Sequence, residues 1–359
     1  MNVDVGLLQD LDALKYLTPY IARSRSFAIT ACASVVRLPA DFLGHQASSL
    51  HSISFTGICP AFESTFPLPN LTKFCLYLPQ GGGSVSMNVL FRFLSNSPLL
   101  ESISIYANGQ TTEDVFMDQV ISLESLVELS YDCNVAGRVL PFLRLPCLRT
   151  LHVRILQEPG QIHKLVDILP YNGHALLAMV TAVMYRPDAS SLTLFLLAQG
   201  KTSLFFTIKR HTSSDIGDAA PDPTLVDWFS PQTSIPLGQI TSLKVFAPTA
   251  SVGFPIGAFA LENLEQLRVD LRDAEDIGRI LRSFHPDPET GVPCRSLWLI
   301  ECTFRGFPEP LLEPLMSLVK ERKGVGYQLR VVRLPIAGEF DPHFLEELRE
   351  HVGEVEIVE

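Results

Sequence analysis

A short hydrophobic pattern, Leu-x-x-Leu-x-Leu with conservative replacements, recurs along most of this chain of 359 residues. Three apolar side chains keep this spacing in each copy, and the copies begin at Leu50, Leu71, Leu100, Leu126, Leu148, Leu264, Leu297, Leu329 and Val352. Successive starts lie 21, 29, 26 and 22 residues apart in the first five copies and 33, 32 and 23 residues apart in the last four. The pattern predicts a series of short strands, each with two or three side chains buried on one face.

Segments with helical periodicity lie between the predicted strands. They cover residues 87–94, 115–123, 309–323 and 344–351. Glu309-Pro310 and Asp341-Pro342 open the last two, and Gly324 and Gly353 end them. A strand followed by a helix cannot bury its apolar side chains alone, so consecutive units must stack. The repeat length is near the range of about 20–29 residues typical of leucine-rich repeats. We therefore expect an α/β leucine-rich-repeat solenoid, with a curved parallel sheet on the concave face and helices on the convex face.

The periodicity also predicts how the chain is organised. We expect an N-terminal helical cap over residues 1–25 and a degenerate repeat solenoid over residues 26–359. The asparagine that usually follows each repeat strand is present only as Asn108 and Asn134. The middle departs from the repeat, with two alternating strand-like runs and a polar stretch, and it predicts a hairpin and loop insertion at about residues 192–240.

Composition and charge narrow the possible functions. Hydrophobic residues make up 47% of the chain and charged residues 19%, which is enough apolar content for a large core. The net charge of -11 disfavours a nucleic-acid partner or an anionic membrane surface. The longest apolar run, residues 175–185, is shorter than the roughly 20 residues of a membrane helix. The amino terminus does not resemble a secretory signal, so we expect a cytoplasmic or nuclear protein that does not bind membranes.

Catalytic and cofactor motifs are absent from the sequence. It contains no phosphate-binding Gly-rich motif, no Gly-x-Ser-x-Gly and no His-Glu-x-x-His. The seven cysteines include no Cys-x-x-Cys pair, which disfavours both a disulfide framework and a zinc site. We therefore predict that the protein is not an enzyme and carries no cofactor or metal.

Four segments resemble a known family. Residues 38–45, 49–55, 69–74 and 97–103 look like the region downstream of the F-box in F-box and leucine-rich-repeat proteins of mushroom-forming fungi. The resemblance implies a substrate receptor of a cullin-RING ubiquitin ligase, in which the F-box docks a Skp-type adaptor and the repeats hold the target. Residues 1–25 are too few for the three helices of an F-box. We therefore expect adaptor binding only if an F-box lies upstream of this chain.

The repeat also predicts a binding surface. In a strand whose leucines point inward, the intervening side chains alternate to the opposite face, where a rigid sheet can recognise a protein target. This reasoning selects as partner-binding residues Lys73, Tyr77, Tyr106, Glu128, Asp132, His152, Arg154, Arg268, Asp270, Glu301 and Arg333. Two alternatives remain open, an enzyme regulator on the same scaffold, for example of GTPase-activating type, and an orphan repeat protein without ligase coupling.

Overall fold

The structure is a computed structural model that describes most of the chain. The described residues are 2–8, 16, 18–21, 23–31, 36–38, 47–60, 68–78, 86–107, 119–133, 139–157, 168–171, 175, 177, 179–187, 191–198, 202–210, 237–247, 261–336 and 340–358. The chain forms two compact units. Unit 1 comprises residues 1–175 and 202–211, and unit 2 comprises residues 176–201 and 212–359.

Unit 1 is dominated by short strands. They are β1 (Asn2–Leu8), β2 (Ser26–Ala31), β3 (Val36–Leu38), β4 (Ser52–Thr56), β5 (Ile58–Pro60), β6 (Lys73–Leu78), β7 (Ser102–Ala107), β8 (Ile121–Ser122), β9 (Glu128–Cys133), β10 (Leu143–Arg144), β11 (Thr150–Gln157) and β14 (Thr202–Arg210). Its helices include α1 (Thr18–Ile21) and α2 (Met87–Ser95), and single helical turns cover Ala47–Ser49 and Leu140–Phe142.

The strands of unit 1 are parallel. The main sheet has the order β1-β2-β4-β6-β7-β9-β11-β14, and every neighbouring pair in it runs parallel. From β2 to β14 the pairing continues without a shift, so each residue faces the equivalent residue of the next strand. Two small parallel pairs, β3 with β5 and β8 with β10, lie beside this sheet.

Unit 2 combines a sheet with longer helices. Its strands are β12 (Val180–Pro187), β13 (Ser191–Ala198), β15 (Ser242–Ala247), β16 (Gln266–Leu271), β17 (Leu299–Thr303), β18 (Val331–Pro335) and β19 (Glu354–Val358). Its helices include α3 (Ala274–Arg282), α4 (Glu309–Gly324) and α5 (Pro342–His351), and a helical turn covers Leu237–Gln239. The strand order is β13-β12-β15-β16-β17-β18-β19, with β13 antiparallel to β12 and all other pairs parallel.

Local sequence explains where the helices begin. Ser86, Asp273 and Asp341 are the N-cap residues of α2, α3 and α5, and the side chain of each accepts a hydrogen bond from a backbone N–H of the first turn. In unit 2, α3 packs against α4, where Gly278 lies directly against Pro314. These helices cover one side of the sheet and bury its apolar residues.

The repeat pattern correctly identifies the buried positions of eight copies. The three apolar residues of every copy from Leu50 to Leu329 are fully or almost fully buried, including Leu129 and Ile300, which have no exposed surface. The prediction of an α/β fold with a mainly parallel sheet is therefore confirmed. The ninth copy is wrong in part, because only Val352 is buried and 41% of Ile357 is exposed. Its strand, β19, ends the strand order of unit 2 and has a neighbour on one side only among the described residues.

Two further expectations need correction. Residues 2–8 form the strand β1 rather than part of a helical cap, and β1 extends the sheet by pairing with β2. The predicted helix at residues 115–123 is wrong at its end, where residues 121–122 form β8, and residues 111–118 lie outside the described part. In both places hydrogen bonding to an adjacent strand satisfies backbone groups that the helix would have paired internally.

The predicted insertion at residues 192–240 contains the two expected strands, but they belong to the sheets themselves. β14 pairs in parallel with β11 along eight residues and so continues the series of unit 1. β13 pairs antiparallel with β12 in unit 2. The polar loop of this insertion lies outside the described residues, and the extent of the solenoid over residues 26–359 stays a prediction.

Candidate functional site

The structure places all eleven predicted partner-binding residues on the side of the strands opposite the buried leucines. Burial alternates strictly along β6, where Phe74, Leu76 and Leu78 are buried and Lys73 and Tyr77 are exposed. The same alternation holds in β7 and β16. Seven of the eleven residues lie on unit 1 and four lie on unit 2.

The surface on unit 1 is called here the aromatic row. It consists of four residues at one register position of four neighbouring strands, Tyr77, Tyr106, Asp132 and Arg154. The rings of Tyr77 and Tyr106 lie 6.3 Å apart between centroids at an interplanar angle of 48°. Arg154 Nη1 donates a hydrogen bond of 2.7 Å to Asp132 Oδ2, and the Asp132 side chain is only 14% exposed. A pair of tilted aromatic rings therefore lies beside an ion pair.

The remaining predicted residues of unit 1 flank this row. Lys73 and Glu128 lie at the amino-terminal ends of their strands, on either side of Ser102, whose hydroxyl lies 3.4 Å from Glu128 Oε2. His152 lies on β11, two residues before Arg154, and is half-buried. Burial is the main cause that lowers the pKa of His152, the charge of Arg154 adds to it, and the charge of Asp132 opposes it.

The surface on unit 2 is called here the charged row. It runs at one register position from β15 to β19 and consists of Lys244, Arg268, Glu301, Arg333 and Glu356. Glu301 Oε2 lies 3.7 Å from Arg268 Nε and 3.5 Å from Arg333 Nη1. Arg333 Nε donates a hydrogen bond of 2.6 Å to Glu356 Oε2, which is the main reason that the pKa of Arg333 is raised.

Asp270 lies two residues beyond the charged row on β16 and is half-buried. Burial is the main cause that raises the pKa of its carboxyl group. The charges of Lys244 and Arg305 lower this pKa, and the charge of Glu301 raises it. Charges of both signs therefore lie near Asp270. They are contributed by Lys244 of β15, Glu301 of β17 and Arg305, which follows β17.

Sequence reasoning missed Lys244 and Glu356, which the structure adds to the charged row. A signal for Lys244 was present, because Leu243-Lys244-Val245 repeats the order of Leu267-Arg268-Val269. The same signal was present for Glu356, which lies between Val355 and Ile357 as Arg333 lies between Val332 and Leu334.

The described residues also bear on metal binding, thiol chemistry and membrane crossing. Within them, no group of three or more His, Cys, Asp or Glu side chains could hold a metal ion. Burial raises the pKa values of the Cys294 and Cys302 thiols to about 12, so both stay protonated at neutral pH. In the same part of the chain, no helix combines the length and the hydrophobicity that crossing a membrane requires.

These observations define an α/β repeat protein with polar and charged residues in register across its parallel strands. No protein-family model matches the chain, and no curated protein matches it. Among solved structures, a chain of the Drosophila Toll–Spatzle complex is similar at 12% identity and a TM-score of 0.38, and the alignment covers 98% of this chain and 42% of that chain. The functional domain of InlJ from Listeria monocytogenes is similar at 13% identity and a TM-score of 0.22, with 86% and 68% covered. This chain thus spans less than half the length of the Toll–Spatzle chain.

Proposed function

We propose that this protein is a noncatalytic protein-interaction module of the leucine-rich-repeat type, which holds a protein target on the aromatic row of unit 1. The observation that carries the proposal is the alignment of Tyr77 and Tyr106 on adjacent strands, beside the Asp132–Arg154 ion pair. Tyrosine and arginine are the side chains most enriched among residues that dominate binding energy at protein interfaces.

The surroundings of the row support this proposal. Tyr77 is 42% exposed, although its ring is large and apolar. It lies on a strand with hydrogen-bonded neighbours on both sides, so its backbone is already fixed before a partner binds. A preorganised aromatic surface loses little conformational entropy on association.

The experiment is a quantitative pulldown that uses the chain with Tyr77→Ala and Tyr106→Ala combined. We expect recovery of the specific partner to fall by a factor that corresponds to about 2 kcal/mol or more, the threshold for hot-spot residues. Tyr171→Ala is the matched control, because Tyr171 belongs to unit 1, is 63% exposed and lies outside the row. Circular dichroism checks that all three proteins fold alike.

Two results decide the outcome. A partner that is lost with the double variant and kept by the control supports the proposal. Equal recovery of the same partner by the parent and the double variant would remove the aromatic row from the interface.

The finer part of the proposal is that the module belongs to the substrate-recognition half of an F-box protein of a cullin-RING ubiquitin ligase. The sequence resemblance at residues 38–103 is its support. The described residues at the amino terminus include the strand β1, which pairs with β2. We expect residues 1–359 not to co-elute with a Skp-type adaptor in gel filtration. Formation of a stable complex would show that this chain carries its own adaptor-binding element.

A further inference from the structure

A cleft lies at the carboxyl ends of β16 and β17 in unit 2, outside the eleven residues predicted from the sequence. It has a volume of about 540 Å³, and Arg272, Asp273, Arg305 and Phe307 line it together with Ala274, the first residue of α3. Arg305 N–H donates a hydrogen bond of 3.2 Å to the carbonyl oxygen of Arg272, which fixes the two residues side by side. The cleft is thus built on the rigid edge of the sheet.

The two arginines supply hydrogen-bond donors that no described carboxylate uses. Arg272 and Arg305 are both exposed, and neither has a carboxylate within ion-pair distance in the described part of the chain. Arg154, Arg279 and Arg333, in contrast, each have an acidic partner within 3.2 Å. Each guanidinium group can donate two parallel hydrogen bonds to a carboxylate.

One carboxylate, that of Asp273, lines the cleft, and a second, that of Asp270, lies close enough for its charge to interact with Arg305. Asp273 Oδ1 accepts a hydrogen bond of 3.0 Å from the N–H of Glu275, because Asp273 is the N-cap of α3. The charges of Asp270 and Arg305 act on each other without an ion-pair contact. The two guanidinium groups thus outnumber the one carboxylate that lines the cleft, and one oxygen of that carboxylate caps α3.

An aromatic side chain completes the cleft. Phe307 is 83% exposed. It follows Gly306, whose φ of +113° is strained for any residue with a side chain. The sharp turn at Gly306 thus holds an exposed aromatic ring in the same cleft as the guanidinium groups of Arg272 and Arg305. Burial of such a ring by a partner is favourable in proportion to the apolar area removed from water.

We propose that this cleft binds an acidic segment of a protein partner. A carboxylate of that segment lies between Arg272 and Arg305, and a neighbouring apolar side chain packs on Phe307. The site goes beyond the proposed function of the aromatic row, because it lies on the other unit and has its own test.

The net charge of the chain, -11, does not oppose this assignment. The Debye length is about 8 Å at physiological ionic strength, so a bound carboxylate responds mainly to the charges that line the cleft. The lining carries two guanidinium groups and one carboxylate, that of Asp273, which leaves it with a net positive charge. Local charge complementarity therefore favours an acidic ligand within an acidic protein.

The test measures fluorescence anisotropy with a short labelled peptide in which glutamate and leucine alternate. The variants of the full chain are Arg272→Gln with Arg305→Gln, and Phe307→Ala. The control combines Arg330→Gln with Arg349→Gln, which removes the same charge from two exposed arginines that do not line the cleft. A second peptide, with glutamine in place of glutamate, isolates the role of the carboxylates.

We expect the cleft double variant to bind the acidic peptide about tenfold more weakly or worse, since hydrogen bonds to charged groups are the strong ones. Phe307→Ala weakens binding several-fold, the control double variant binds like the parent, and the glutamine peptide does not bind. Failure of the parent to bind the acidic peptide, or equal binding by the parent and the cleft double variant, would overturn the site. An unchanged affinity of Phe307→Ala would overturn its apolar part.

Discussion

Arg322 Nη2 lies 2.9 Å from the carbonyl oxygen of Cys294 and donates a hydrogen bond to it inside unit 2. Nη1 of the same side chain donates to the carbonyl oxygen of Pro293, also at 2.9 Å, and Arg322 is completely buried. Cys294 has a φ of +48°, which is unusual for a residue other than glycine. The guanidinium of α4 therefore holds the turn that precedes β17 in a strained conformation.

Replacement of Arg322 by methionine should destabilise unit 2. The substitution keeps most of the side-chain volume but removes the Arg322 donor to the buried carbonyl oxygen of Pro293 and one of two donors to that of Cys294, which also accepts from Leu297 N–H. The unsatisfied oxygen of Pro293 should cost about 1–3 kcal/mol. Urea unfolding measures the change. Arg330→Met, at an exposed position, is the control and should change stability by less than about 0.5 kcal/mol. Equal midpoints for both variants would contradict the buried anchoring role.

Leu129→Ala tests the register of the repeats. Leu129 is fully buried on β9, so truncation removes apolar contacts and leaves a cavity, at a cost of about 2–5 kcal/mol. The matched control is Leu99→Ala, because Leu99 is 50% exposed in the same unit. Thermal unfolding should show a clear loss for Leu129→Ala alone. An unchanged melting temperature would place Leu129 outside the core.

Gly353→Ala should destabilise the attachment of β19. A Cβ atom at this position would lie 2.7 Å from the carbonyl oxygen of Arg330, and this oxygen is part of the backbone and cannot rotate away. Gly324→Ala is the control, since no atom lies within 4 Å of its Cβ position. Hydrogen exchange of the β19 amides should accelerate for Gly353→Ala. Protection equal to that of the control would show that the approach of β19 to Arg330 is looser.

The pH dependence of stability should include a contribution from His152. Burial and Arg154 lower its pKa in the folded protein below the ordinary value of 6.5. Below that value the unfolded chain takes up the proton more readily than the folded protein, so stability falls as the pH decreases from about 6.5. A proton NMR titration should give a pKa below 6.5 for His152 and a higher value after Arg154→Gln. A pKa at or above 6.5 in the parent would contradict this environment.

The buried positions could be predicted from the sequence because the leucine spacing follows the alternation of buried and exposed residues along each strand. The same holds for α4 and α5, whose starts and ends are marked by proline and glycine. Other elements also carry a sequence signal for their secondary structure. Asn2, Val3, Asp4 and Val5 alternate between polar and apolar as expected for a strand, and Asp273 precedes apolar residues at helical spacing in α3.

The surfaces could be predicted only in part. The alternation of buried and exposed residues assigns Tyr77 and Tyr106 to the same face of the sheet. It does not identify neighbouring strands, because these depend on the strand order that the structure shows. β14 follows β11 in unit 1 although more than 40 residues of sequence separate them. The cleft near Arg272 and Arg305 depends on residues beyond the ends of β16 and β17, where no repeat constrains the sequence.

The unshifted pairing of the strands in unit 1 sets a fixed spacing for whatever binds there. Neighbouring strands are about 4.8 Å apart, so the four residues from Tyr77 to Arg154 span about 14 Å. In an extended peptide that crosses the strands, the side chains on one face recur about every 6.8 Å, which is longer than the spacing between neighbouring residues of the row. A helix rises about 5.4 Å per turn, which is closer to the spacing between neighbouring residues of the row. The spacing of the aromatic row therefore matches the repeat of a helical ligand better than that of an extended one.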